Sequence, residues 1–173
     1  SNFVTSKVKD MSWMFYYCSS LISLDLSNFK TTSLTNMNRM LSYISKIDYL
    51  DLSNFETSKV RDMSALFCGD KELTYLDISS FDTSSVIDTS DMFSSCLNLE
   101  ELDVSNFDTK NVENMDNMFR NCQSLTSLDV SNFVTENVVS MMGTFNGLKN
   151  IKKLNLKNFV TKNVKSFEET FGD

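Results

Sequence analysis

The segment Leu24-Asp25-Leu26-Ser27-Asn28-Phe29 returns unchanged as Leu50 to Phe55, and with small substitutions as Leu76 to Phe81, Leu102 to Phe107, Leu128 to Phe133 and Leu154 to Phe159. Counted from its closing residue, and with Phe3 included, the phrase advances by 26 residues each time without a slip. A strict period of this size means that each unit is one supersecondary element, too small to bury its own apolar side and obliged to stack on the next. The spacing predicts a single array over residues 1–173, about six and a half repeats long, in which equivalent side chains superpose rung upon rung.

Two shorter periods lie inside the long one. Around Leu24-Asp25-Leu26-Ser27 apolar and polar residues alternate, which predicts a short strand with the leucines inward and Asp and Ser outward. From Val8 to Cys18 the apolar residues fall at steps of three and four, the stripe of a short amphipathic helix or 3₁₀ turn. The Phe column reads as a spine of stacked rings. Met11, Met37, Met63, Met115 and Met141, interrupted by Thr89 and Phe167, read as soft core filler. The Thr column from Thr5 to Thr161, and the Asn of the Ser-Asn-Phe turns, are placed to satisfy turn backbone groups.

Leu21-x-x-Leu24-x-Leu26 resembles the strand signature of leucine-rich repeats, although Phe and Thr stand where the commonest consensus has Asn and Leu. The longer phrase LDVSNFDTKNVENMDNMFRNC, residues 102–122, is similar to the 26-residue repeats of BspA-like bacterial surface proteins. The resemblance runs along the whole chain. It implies a right-handed α/β leucine-rich-repeat solenoid, with parallel strands on the concave face and short helices or 3₁₀ turns on the convex face. It also implies display on a cell surface or secretion, and recognition of a host or surface protein or a glycan.

Composition narrows the chemistry. With 16 basic against 23 acidic residues the net charge is -7, which disfavours nucleic acid and anionic membrane surfaces. No apolar run approaches the roughly 20 residues needed to cross a bilayer, so this stretch is not expected to insert into a membrane. The chain has no His, the commonest general base and metal ligand, and it carries neither a Gly-rich phosphate loop nor a nucleophile elbow. No cofactor is implied. Its carboxylates are spread along a ladder and do not converge on one reacting atom, so the chain reads as non-catalytic. It begins two residues before one Phe anchor and ends fourteen after another, which reads as a piece of a longer array whose open ends could stack on one another.

Five groups of residues are candidates for function. The outward column Asp25, Asp51, Asp77, Asp103 and Asp129 puts like charges one strand apart, a repulsion of roughly 1 kcal/mol per pair even in bulk water. Hydrogen bonds to the Ser two residues on, or oxygen ligation of Ca²⁺, would offset it. The adjacent column varies: Ser23, Tyr49, Tyr75, Glu101, Ser127 and Lys153. Variation among uniform rungs is where specificity resides, and Tyr49 and Tyr75 flanked by Asp51, Asp77 and Glu101 form an aromatic and acidic patch suited to a protein or glycan; cross-strand stabilisation of the sheet is the plainer role.

Trp13, Tyr16, Tyr17 and Tyr43 crowd the first turn region, as a second patch or as a surface covered by a preceding repeat, while Lys149, Lys152, Lys153, Lys157, Lys162 and Lys165 form a basic run. Cys18, Cys96 and Cys122 share a column with Ile44, Asp70 and Leu148, a largely apolar slot suited to free thiols. A Cys96–Cys122 disulfide is the alternative, and paired zinc-ligand spacing is absent. The reading that follows is a binding module acting through Tyr49, Tyr75, Asp51, Asp77, Glu101 and Lys153. A ligand-free structural spacer is the alternative.

Overall fold

The computed structural model describes residues 3–172. Along the Met-rich stretch of each repeat, every second backbone N–H is donated to the following repeat. Met37 N–H bonds to Asp62 O at 2.9 Å, Arg39 to Ser64 O at 3.0 Å, Leu41 to Leu66 O at 3.1 Å and Tyr43 to Cys68 O at 2.8 Å. The intervening donors stay within the rung, with Met40 N–H on Met37 O and Ser42 N–H on Arg39 O. The same alternation recurs as far as Gly147 N–H on Gly172 O. Successive repeats are thus stacked turns of chain held by main-chain bonds.

Where the apolar stripe predicts a short helix or 3₁₀ turn, the described residues contain no helix, and the bonds within the rung close single turns of the i-to-i−3 kind. Two positions per rung adopt positive φ and break the helical path. One column is Trp13, Arg39, Ala65, Asp91, Asn117, Gly143 and Glu169, and the other is Tyr17, Tyr43, Gly69, Ser95, Asn121 and Gly147. A left-handed conformation costs a non-glycine residue roughly 1–2 kcal/mol. Here it turns the residue's own N–H along the stack, where a carbonyl of the next rung accepts it.

Regular strand is also scarcer than the Leu-x-Leu phrases suggest. β1 (Tyr49–Asp51) and β2 (Tyr75–Asp77) pair in parallel with Tyr49 opposite Tyr75, Leu50 opposite Leu76 and Asp51 opposite Asp77. The other Leu-x-Leu segments form no strand among the described residues. In the first five phrases the Asp accepts the N–H of the Ser two residues on, at 2.9–3.0 Å, which takes that donor out of any ladder, in β1 and β2 as in the phrases that form no strand. The ladder that runs through nearly the whole stack lies elsewhere, as single parallel bridges from Asp10 through Asn36, Asp62, Asp88 and Asn114 to Ser140.

The interior follows the columns. Leu52, Phe55, Val60, Met63, Leu66 and Phe67 of one rung are all buried, and their equivalents repeat above and below. The continuous stack of rings is formed by a different Phe column from the one that closes the repeated phrase. Phe67, Phe93, Phe119, Phe145 and Phe171 stack with centroids 5.7, 5.7, 6.0 and 5.7 Å apart and ring planes within 13° of parallel. The phrase-closing Phe107 and Phe133 pack obliquely against it, each 6.4 Å away.

Polar side chains tie one rung to the next. Thr57 Oγ donates to Asp82 O and accepts Asp82 N–H, at 2.9 and 2.8 Å, and Thr83, Thr109 and Thr135 repeat the exchange. The Asn of the repeated phrase reaches backward: Asn106 Nδ2 donates to Ile78 O and Phe81 O at 3.0 and 2.8 Å. Both residues therefore act between rungs, not within the turn that contains them. Each Thr hydroxyl thus meets both the carbonyl and the N–H of one residue on the next rung.

Candidate functional site

The parallel register of β1 and β2 sets Tyr49 directly beside Tyr75 on the outward side of the strands. Their rings stack with centroids 5.4 Å apart and planes 6° from parallel, and they are 54% and 50% exposed. Each ring has one face against its partner and one face open. The open side of Tyr49 borders a shallow hollow formed with Asp25, Ser27, Asp51, Ser53 and Asn54. That of Tyr75 borders a second hollow formed with Asp77, Ser79, Glu101 and Asp103. No basic side chain lines either one.

The carboxylates are fixed as well as charged. In Asp25, Asp51, Asp103 and Asp129, hydrogen bonds from the hydroxyl and then the N–H of the serine two residues on hold the carboxyl below its usual range. Bonding to the charged form favours it, so these groups remain anionic into acid. One oxygen of each accepts the serine N–H, which offsets the repulsion along the column. Among the described residues no three carboxylates or thiols are grouped to hold a metal ion. Desolvation, followed by the influence of Asp51, Tyr75 and Asp77, raises the Tyr49 phenol above its ordinary value.

Of the residues the sequence singles out, the structure brings together Tyr49, Tyr75, Asp51, Asp77 and Glu101. Lys153 belongs elsewhere: two further repeats separate it from Glu101, and it borders a hollow near Phe145, Leu148 and Phe171. The basic run around it is exposed, and the two ion pairs among the described residues, Lys110–Asp108 and Arg120–Glu169, involve none of it.

The second aromatic group is continuous. Trp13 meets Tyr16 edge-on at 4.6 Å, Tyr16 and Tyr17 each contact Tyr43 at 5.9 and 5.8 Å, and the Arg39 guanidinium lies 5.1 Å over Trp13. Tyr43 in turn covers Gly69, where an added Cβ would meet ring carbon Cε1 at 2.4 Å. Much of this cluster is spent on packing between rungs.

All four cysteines are free. Cys96 and Cys122 each donate Sγ–H to a main-chain carbonyl of the preceding rung, Phe67 O and Phe93 O, at 3.1 Å. Burial pushes the Cys122 thiol up to about 12 and Cys96 well above its ordinary value, so both are inert thiols.

Asp70 is the residue whose chemistry the sequence reading passes over. It stands in the same column as those thiols, is 1% exposed, and accepts Ile44 N–H on Oδ1 at 2.8 Å while Oδ2 has no partner. Burial pushes its carboxyl up to about 8, against the opposing pull of the Ile44 and Tyr43 N–H groups. An acid in a column of Ile, Leu and Cys was the available signal.

Comparison with curated proteins and with solved structures gave no match. A match to one family does cover the chain, in three overlapping spans of residues 1–102, 43–154 and 98–173, under the description "Mycoplasma protein of unknown function, DUF285". Its spans overlap as they would when the recognised unit is longer than one repeat and the repeats are nearly equivalent. The chain belongs to the DUF285 family.

Proposed function

We propose that this chain is a non-catalytic binding module, a right-handed leucine-rich-repeat solenoid of the BspA-like kind, displayed on a cell surface or secreted, that recognises a protein or glycan through the face bearing Tyr49 and Tyr75. The observation carrying this reading is the exposed, parallel tyrosine stack between two carboxylate-lined hollows. Tyrosine offers a large contact area with few rotors to freeze, which is why it concentrates at recognition surfaces. Cross-strand stacking accounts for one face of each ring, and the other face, half-exposed in a column that elsewhere holds Ser23, Glu101, Ser127 and Lys153, is left for a ligand.

The test is a panel of immobilised extracellular proteins and glycans probed with the full chain and with a Tyr49→Ser/Tyr75→Ser double variant. The expected result is capture by wild type, at least tenfold weaker capture by the variant, and a free energy of urea unfolding unchanged to within about 1 kcal/mol. Undiminished capture by the variant, or no capture of any panel member by wild type, contradicts the reading and leaves the spacer role.

A further inference from the structure

We propose that the tyrosine face takes an extended polypeptide segment carrying two basic side chains four residues apart, laid across the strands so that one cation caps each open tyrosine ring. The proposal rests on the binding reading above and specifies its partner.

Three observations lead there. First, the rings are mutually stacked at 5.4 Å, so neither can be sandwiched by a ligand; only the two outer faces remain. Second, each outer face borders carboxylates, Asp25 and Asp51 beside Tyr49, and Asp77, Glu101 and Asp103 beside Tyr75. A cation held over an aromatic face and near a carboxylate gains from both, and the ring quadrupole adds to the negative field. Third, the column neighbours suit the same ligand differently on the two sides. Ser23, small and exposed, leaves the Tyr49 face open, whereas Glu101 places a further charge beside the Tyr75 face.

Spacing supplies the rest. Cations lying about 4 Å outside each ring of a pair 5.4 Å thick are roughly 13 Å apart. Extended chain advances about 3.3 Å per residue, so four residues bridge that distance, and positions four apart also point to the same side. Ser27, Ser53 and Ser79 beside the hollows give their protons to Asp25, Asp51 and Asp77 and keep hydroxyl oxygens that can accept the segment's own backbone N–H groups. A neutral sugar would use the ring faces and hydrogen-bond the carboxylates through its hydroxyls but would leave their negative charge uncompensated, and an acidic one would be repelled.

The experiment measures binding of short fluorescent peptides to the full chain. The probes are a Ser/Thr-rich peptide with two lysines four apart, the same composition with lysines two apart, and single and double Lys→Gln versions; a neutral oligosaccharide series runs in parallel. The expected order is four-apart tightest, with each Lys→Gln weakening binding roughly three- to thirtyfold. Tyr49→Ser and Tyr75→Ser should each do the same, and Glu101→Gln should act only through the lysine on the Tyr75 side. Affinity should fall as salt rises.

Equal binding of the Gln peptides overturns the proposal, as does indifference to lysine spacing. If an oligosaccharide binds in a Tyr49- and Tyr75-dependent way while the peptides do not, the binding face stands and the cationic partner is refuted. If the peptides bind but the tyrosine variants bind them equally well, both readings of this face fail.

Discussion

Replacing Asp70 with cysteine should stabilise the protein, and should do so in proportion to pH. The folded carboxyl is pushed up to about 8 by burial, while its ordinary value is 3.8. The folded chain therefore holds a proton that the unfolded chain releases through most of the range between those values. Below about pH 4 both states are protonated and the group costs nothing by this route. As pH rises the unfolded state is favoured by about 1.4 kcal/mol per unit, until the folded carboxyl also ionises near pH 8, and above that the cost is constant. At pH 7 it amounts to about 4 kcal/mol. A cysteine at this position would take up the Ile44 N–H, as Asp70 does now, and donate in register to Leu41 O, as Cys96 does to Phe67 O.

Urea unfolding of wild type and Asp70→Cys under reducing conditions, at intervals from pH 4 to pH 8.5, isolates this effect because every other carboxylate is common to both. The variant's advantage should grow by several kcal/mol between the two ends. Asp70→Asn, which keeps the acceptor for Ile44 and removes the charge, should show the same slope. A pH-independent difference, or a wild type more stable than both variants at pH 8, would refute the account of Asp70 as a buried acid kept neutral by its surroundings.

Two further substitutions probe the contacts between rungs. Thr83→Val removes a hydroxyl that donates to Asp108 O and accepts Asp108 N–H, and should cost about 1–3 kcal/mol by stranding those main-chain groups, read from the urea midpoint. Gly69→Ala adds a Cβ 2.4 Å from a Tyr43 ring carbon at a backbone φ of +78°, and should cost about 1–3 kcal/mol while changing the near-ultraviolet circular dichroism of the Tyr43 cluster. Gly143→Asn, at φ 62° in the column that already holds Asn117, tests the same conformation with a residue that tolerates it; it should cost less than Gly143→Val.

The 26-residue period and the identity of the buried columns could be read directly from the sequence, because stacking obliges equivalent positions to share an environment. The tyrosine pair was legible for the same reason: Tyr49 and Tyr75 are one period apart on an outward column, and register alone makes them neighbours. The choice between helix and turn was harder to read. Val8 to Cys18 satisfies a helical stripe along the chain, but the column through Trp13 also holds Asp91, Asn117 and Gly143, and that through Tyr17 holds Gly69, Asn121 and Gly147. Read down the columns, those residues mark left-handed turns; read along one repeat, the Trp, Tyr and Arg in the same slots hide them. Lys153 shares the tyrosines' column, but a column extends the length of the array and a binding patch spans only a few rungs, so position in the column alone does not bring it to them.

The core and the tyrosine face rest on one register, and distances between spin labels at exposed Ser27, Ser53 and Ser105, placed in a Cys18→Ser background, test it directly. Each 26-residue step should add one strand spacing of about 4.8 Å, so that the one-step pair 27 and 53, the two-step pair 53 and 105, and the three-step pair 27 and 105 report separations rising by equal increments. Distances that fail to rise with the number of steps, or a three-step pair closer than the one-step pair, would contradict the stacked arrangement and everything derived from it.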